Sequence, residues 1–335
     1  MQAAIYGFAG PVLTDDERAF FKDADAAGYI VFKRNCIDQK QLLALTEELR
    51  GIAGRADVPI LIDQEGGRVA RMREPQWPAF PAAEVFDQLY RTAPSSAIEA
   101  VRSNARALGL MLREAGINVD CLPLLDVRQP GAHDIIGDRA LGDQPMQVAA
   151  LGQAVLSGLA SGGVCGVVKH MPGHGRALAD SHVELPVVTA GEAELEVDLE
   201  PFERLKSAPM GMTAHVVYTA WDAERPASLS PKIIAEIIRG RIGFGGWLMS
   251  DDLGMQALKG DSGERAAGVV AAGCDVALHC SGKIDEMVSV ASAVPAMTAN
   301  GEARLARAMD SVAADEGGPP FAECVAKREE LLALA

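Results

Sequence analysis

The sequence predicts an α/β fold: a single (β/α)8 barrel of the TIM type, with residues 300–335 as a helical C-terminal extension. Three observations lead there. About eight short apolar runs alternate with longer amphipathic stretches, no linker or low-complexity tract divides the 335 residues, and polar residues recur at the ends of the apolar runs. Strand–helix alternation implies a parallel sheet, and eight repeats favour closure over an open doubly wound sheet. Without a linker the chain reads as one domain, 1–335.

The expected strands are residues 3–9, 29–33, 59–63, 117–126, 165–170, 211–218, 246–250 and 275–279. The first is mildly apolar but has no basic segment before it. It runs into Asp15-Asp16-Glu17 rather than a cleavage site, so it reads as a strand and not as an export signal. Helices are expected over residues such as 38–53, 95–115, 143–161, 191–206, 230–239 and 263–272, with two more near 302–314 and 321–334. Ser230-Pro231 is a helix start, because serine can cap free N–H groups and proline is already set for the first helical position.

Composition bounds the function. The chain is 49% hydrophobic and 23% charged with a net charge of -15, which speaks against a nucleic-acid partner or a cationic membrane-surface role. Charges or glycines interrupt every apolar stretch that could span a bilayer. The six cysteines, Cys36, Cys121, Cys165, Cys274, Cys280 and Cys324, form no CxxC pair and read as reduced thiols in a cytoplasmic protein.

The chemistry concentrates at strand ends, where active sites of such barrels lie. Asp63, Asp126, Lys169-His170, His215 and Asp251 each follow a different apolar run, which points to one pocket. The densest segment is Lys169-His170-Met171-Pro172-Gly173-His174-Gly175, followed by Asp180-Ser181-His182. An imidazole beside a carboxylate, as in His182 with Asp180, suits general acid/base work near neutral pH. His170, His174, Asp180 and His182 could instead bind zinc, but their spacing matches no common zinc pattern and leaves Asp251 unexplained. A glycine-rich nucleotide loop is absent, so neither a metal nor a cofactor is expected.

The segments Ile62-Asp63-Gln64-Glu65-Gly66-Gly67-Arg68-Val69, Ile136-Gly137-Asp138-Arg139, residues 169–175 with 180–182, Thr213-Ala214-His215-Val216-Val217-Tyr218 and Met249-Ser250-Asp251-Asp252-Leu253-Gly254-Met255 resemble family 3 glycoside hydrolases. The resemblance covers nearly the whole chain. It is nearest to the single-domain bacterial β-N-acetylglucosaminidases of peptidoglycan recycling, whose long loop ends in Asp-Ser-His. It implies retaining cleavage of a terminal β-linked N-acetylglucosamine through a covalent glycosyl-enzyme. Asp251 is then the nucleophile, with Asp252 as the neighbouring alternative, and His182 with Asp180 supplies the acid/base. Asp63 and Arg71 would grip the far edge of the sugar ring, while Arg139, Lys169 and His170 orient its hydroxyls and acetamido group. His174 and His215 stay open between pocket and structural roles.

The implied substrate is a cytoplasmic muropeptide carrying N-acetylglucosamine on 1,6-anhydro-N-acetylmuramic acid. The expected partner is thus a small carbohydrate, with no nucleic acid and no membrane. Phosphorolysis competes with hydrolysis, because a histidine acid/base repels a phosphate acceptor less than a carboxylate would. A metal-dependent barrel hydrolase and a non-catalytic sugar-binding barrel are the remaining alternatives.

Overall fold

The computed structural model describes residues 1–131, 133–177, 185–312 and 317–334. Eight parallel strands close into a barrel: β1 (Gln2–Tyr6), β2 (Ala26–Val31), β3 (Ile60–Ile62), β4 (Val119–Asp120), β5 (Cys165–Met171), β6 (Met210–Thr213), β7 (Trp247–Asp252) and β8 (Val276–His279). Closure is made where Ala4, Ile5 and Tyr6 of β1 face Ala277, Leu278 and His279 of β8. The strands are buried along almost their whole length, as strands covered by helices must be. Their apolar runs follow from that.

Two expected strands differ from the structure. The run 117–126 forms a ladder only at Val119–Asp120, because Pro123 has no N–H to give to a sheet. The chain still follows β5 beyond it, with Leu125 N–H donating to the Lys169 carbonyl at 2.7 Å. The run 211–218 splits in two: after Thr213 it leaves the barrel, and Val217–Tyr218 pairs with Val187–Val188 and Asp222–Pro226 in a small outer sheet. His215 anchors the exit, with Nδ1 2.7 Å from Ser228 Oγ and Nε2 3.0 Å from the Asp252 carbonyl.

The helices begin where local chemistry caps them. Asp38 accepts from Gln41 N–H ahead of Gln39–Ala53, and Thr14 with Glu17 forms a capping box ahead of Asp15–Ala24, a helix outside the expected set. Ser230 caps as expected, its Oγ accepting from Ile233 N–H at 3.1 Å and donating to Asp222 at 2.7 Å. The helix it starts is wound as a π-helix over Ile233–Arg241. At the C-terminus, Phe321–Leu332 packs on Pro94–Glu114, where Arg328 donates to Asn104 at 2.9 Å. All six cysteines are free thiols, five of them buried. No helix among the described residues is long and apolar enough to cross a membrane.

Candidate active site

A cavity of about 210 Å³ opens at the C-terminal mouth of the barrel. That is below the ~300–1,000 Å³ of sites for drug-sized ligands and on the scale of one sugar ring. Asp63, Arg71, Arg139, Lys169, His170 and Asp251 all line it. His182 and Asp180 lie outside the described residues. His174 lines the cavity, whereas His215 is wholly buried behind it in the hydrogen bonds that end β6.

Each wall is built by a strand end. Asp63 and Glu65 follow β3, in a turn closed by Glu65 N–H donating to the Val69 carbonyl at 2.9 Å. Gly66 in that turn has φ +95°, and a Cβ there would lie 2.3 Å from the Pro81 carbonyl oxygen, so glycine is required. Lys169 comes from β5, and Arg139 from a short 3-10 turn (Gly137–Arg139) in the connection after β4. These residues form one continuous ion network. Lys169 Nζ is 3.0 Å from Asp63 Oδ1 and 2.7 Å from Glu65 Oε1. Arg71 reaches Asp63 Oδ2 at 3.0 Å, and Arg139 grips Glu65 through Nε and Nη2 at 2.7 and 2.8 Å.

This network fixes charge. Burial pushes the Asp63 carboxyl up, but Lys169 and Arg71 outweigh it and hold Asp63 well below the usual carboxylate range. Glu65, raised by burial and lowered more strongly by Lys169 and Arg139, comes down to about 2. Both are anions at neutral pH and neither has a proton to give. Beneath them Asp120 is fully buried, accepts from Gln64 N–H at 3.0 Å, and is raised well above the usual range by burial.

The opposite wall carries two histidines organised by Asp126. Its Oδ2 is 2.8 Å from His170 Nδ1, and its Oδ1 accepts from the His170 and His174 N–H groups at 3.2 and 2.6 Å. Burial raises Asp126, yet His170 and these hydrogen bonds bring it down to about 2. An ionised carboxylate only accepts, so the proton sits on His170 Nδ1 and leaves Nε2 for the cavity. The Lys169–His170 peptide bond that joins the two walls is cis. His174 is brought down to about 4, by burial first and by His170 second, and is neutral at pH 7.

Asp251 and Asp252 both line the cavity, but their carboxylates are used differently. Asp252 Oδ1 accepts from Gly254 and Cys280 N–H at 2.9 and 3.1 Å, which ties the end of β7 to the end of β8. Asp251 accepts from the Asp252 amide at 2.8 Å and has no bonded cation among the described residues. Burial pushes it up, but the neighbouring His170 and His215, the Asp252 amide and Lys169 outweigh this and keep it below the usual range.

Sequence reasoning brought six of these residues together and passed over Glu65, although it stands two positions after Asp63 in a quoted motif. Nor did it single out Phe32, over whose ring Arg34 and Arg71 stack at 4.9 and 5.0 Å. Burial and pairing, which single these residues out, are tertiary properties.

A closed parallel barrel with a small, densely charged pocket at its C-terminal mouth has the layout of a barrel enzyme, whose active site lies at the strand ends. Residues 6–314 match the glycosyl hydrolase family 3 N-terminal domain. The β-hexosaminidase of Aromatoleum aromaticum is 40% identical over 281 residues, covering 82% of this chain and 77% of that protein. That of Bordetella avium is 37% identical, covering 82% and 79%. NagZ of Neisseria gonorrhoeae, solved with N-trifluoroacetyl-D-glucosamine, superposes with a TM-score of 0.87 at 32% identity, over 100% of this chain and 98% of that one. The chain belongs to glycosyl hydrolase family 3 and is a glycoside hydrolase.

Proposed function

We propose that this chain is a retaining exo-β-N-acetylglucosaminidase that removes terminal β-linked N-acetylglucosamine from muropeptides in the cytoplasm, the sugar being linked there to 1,6-anhydro-N-acetylmuramic acid. One observation carries the chemistry. Of the carboxylates lining the cavity, Asp63 and Glu65 are paired with cations and Asp252 accepts two backbone amides at the ends of β7 and β8, whereas Asp251 accepts one amide and has no bonded cation among the described residues. The names of the relatives and the glucosamine derivative held by the gonococcal protein support the sugar. Family resemblance alone supports the muropeptide.

In the proposed reaction Asp251 attacks the anomeric carbon as the glycosidic bond breaks, giving a glycosyl-aspartate. The departing oxygen takes its proton from His182, oriented by Asp180, and His182 then deprotonates the water that releases the sugar. The described pocket supports an acid from elsewhere, since Asp63 and Glu65 cannot hold a proton at pH 7. The stretch holding His182 begins just after Ala177, whose carbonyl accepts from His133 N–H at 2.9 Å, two residues before the cavity-lining Ile135.

Incubation with 4-nitrophenyl N-acetyl-β-glucosaminide, followed by NMR of the first product, should show the β-anomer. A slow fluorinated analogue should label Asp251, and Asp251→Ala should fold yet lose all measurable turnover. An α-anomer as first product, or label on Asp252, contradicts the reading.

A further inference from the structure

We infer that Glu65 is a positioning residue of the sugar site: it aims Arg139 and Lys169 at the ligand and keeps the two cations together. The inference rests on the functional reading above. Its carboxylate accepts two hydrogen bonds from Arg139 in a fork and is ion-paired with Lys169 at 2.7 Å. Its side chain is 4% exposed, so these contacts are shielded from water.

Counting donors shows what the arrangement leaves for the ligand. A guanidinium has five N–H groups and an ammonium three. Arg139 gives two to Glu65 and one to the Ile135 carbonyl at 3.0 Å, which leaves two. Lys169 donates to Asp63 and is held by charge against Glu65, which leaves at least one N–H for the ligand. Asp63, holding Lys169 on one oxygen and Arg71 on the other, keeps a free lone pair on each. Arg139 and Lys169 thus offer charged donors beside the charged acceptors of Asp63, a pattern that fits vicinal hydroxyls, each of which can donate and accept.

Glu65 sets the direction of these donors because it comes from a different segment than either cation. The bidentate grip fixes the plane of Arg139, whose own segment is a surface connection with a single turn of 3-10 helix. Charge makes the same point: without Glu65, Arg139 loses the carboxylate it is hydrogen-bonded to, and Arg139 already opposes the charge on Lys169.

The experiment is a double-mutant cycle between Glu65→Gln and Arg139→Ala, read by calorimetric binding of N-acetylglucosamine and by kcat/KM on 4-nitrophenyl N-acetyl-β-glucosaminide. Glu65→Gln should weaken sugar binding about tenfold to a hundredfold, the loss of charged hydrogen bonds, with kcat/KM falling in parallel. In the Arg139→Ala background the same change should cost much less, because its main client is gone. Wild-type sugar affinity in folded Glu65→Gln, or full additivity with Arg139→Ala, overturns the role. Should Glu65→Gln not fold, Glu65→Asp takes its place under the same criterion. Wild-type turnover tests the functional reading separately: a wild type that cleaves a different aryl glycoside refutes that reading, and the cycle is then run on the sugar it does accept.

Discussion

At the scale of single residues, the site divides its carboxylates by their partners. Asp63 and Glu65 are surrounded by cations and act as permanent acceptors, Asp126 holds imidazoles, and Asp251 keeps its charge with no bonded cation among the described residues. The proposed proton donor can be tested through the leaving group. A nitrophenolate departs with little protonation and a sugar alkoxide with much, so His182→Ala should slow glycosylation by natural disaccharides far more than by aryl glycosides. Each tenfold gap between the two is about 1.4 kcal/mol of transition-state stabilisation. Equal losses on both substrates would remove His182 as the donor. His174 makes a pH prediction. An unfolded imidazole titrates at 6.5, while burial and then His170 bring the folded group down to about 4. Between these values the unfolded chain binds a proton that the native state refuses. Its contribution is therefore intact above pH 6.5 and is lost as the pH falls towards 4, by up to about 3 kcal/mol. The difference in stability between wild type and His174→Gln, followed by thermal melts, should fall over that window; a flat difference contradicts it.

At the scale of elements, the loop after β5 is held by the connection after β4, by the outer sheet and by the helix Glu192–Arg204 before it reaches residue 178. His174 N–H donates to Asp126, Tyr218 Oη donates to the Gly173 carbonyl at 2.8 Å, and Arg176 pairs with Asp198 at 2.5 Å. Gly175 allows the close approach: a Cβ there would stand 1.9 Å from the Val127 carbonyl oxygen, a backbone atom that cannot swing aside. Gly175→Ala should push the two segments apart, cost about 1–3 kcal/mol of stability as overpacking does, and lower kcat/KM. An unchanged melting temperature with unchanged kinetics would show that the loop tolerates the separation. The same loops explain where sequence reading stopped. Thr14-Asp15-Asp16-Glu17 is a legible capping box that marks the helix after it. The division of residues 211–218 between barrel and outer sheet has no such local mark, because it depends on what His215 meets across the fold.

At the scale of the whole molecule, the barrel brings strand ends far apart in sequence into one pocket, and the remaining choice is which nucleophile enters it. In the proposed reaction water would release free N-acetylglucosamine, and phosphate would release the sugar 1-phosphate. Turnover should be unchanged by added phosphate, with free sugar as the product by NMR; a phosphate-dependent rate with sugar 1-phosphate would instead make the enzyme a phosphorylase. Periodicity alone determined the alternating elements and their closure, because buried parallel strands must be apolar and helices that cover them must be two-faced. It also placed Asp63, Lys169, His170 and Asp251 at strand ends, where barrel geometry puts active-site residues. Only the tertiary structure tied Asp252 to the ends of β7 and β8, turned Glu65 from a motif letter into a partner of Arg139 and Lys169, and sent His215 behind the wall while leaving His174 in it. Those outcomes are set by distances between segments that the linear chain does not encode locally, so charge, burial and pairing emerge only once the barrel closes.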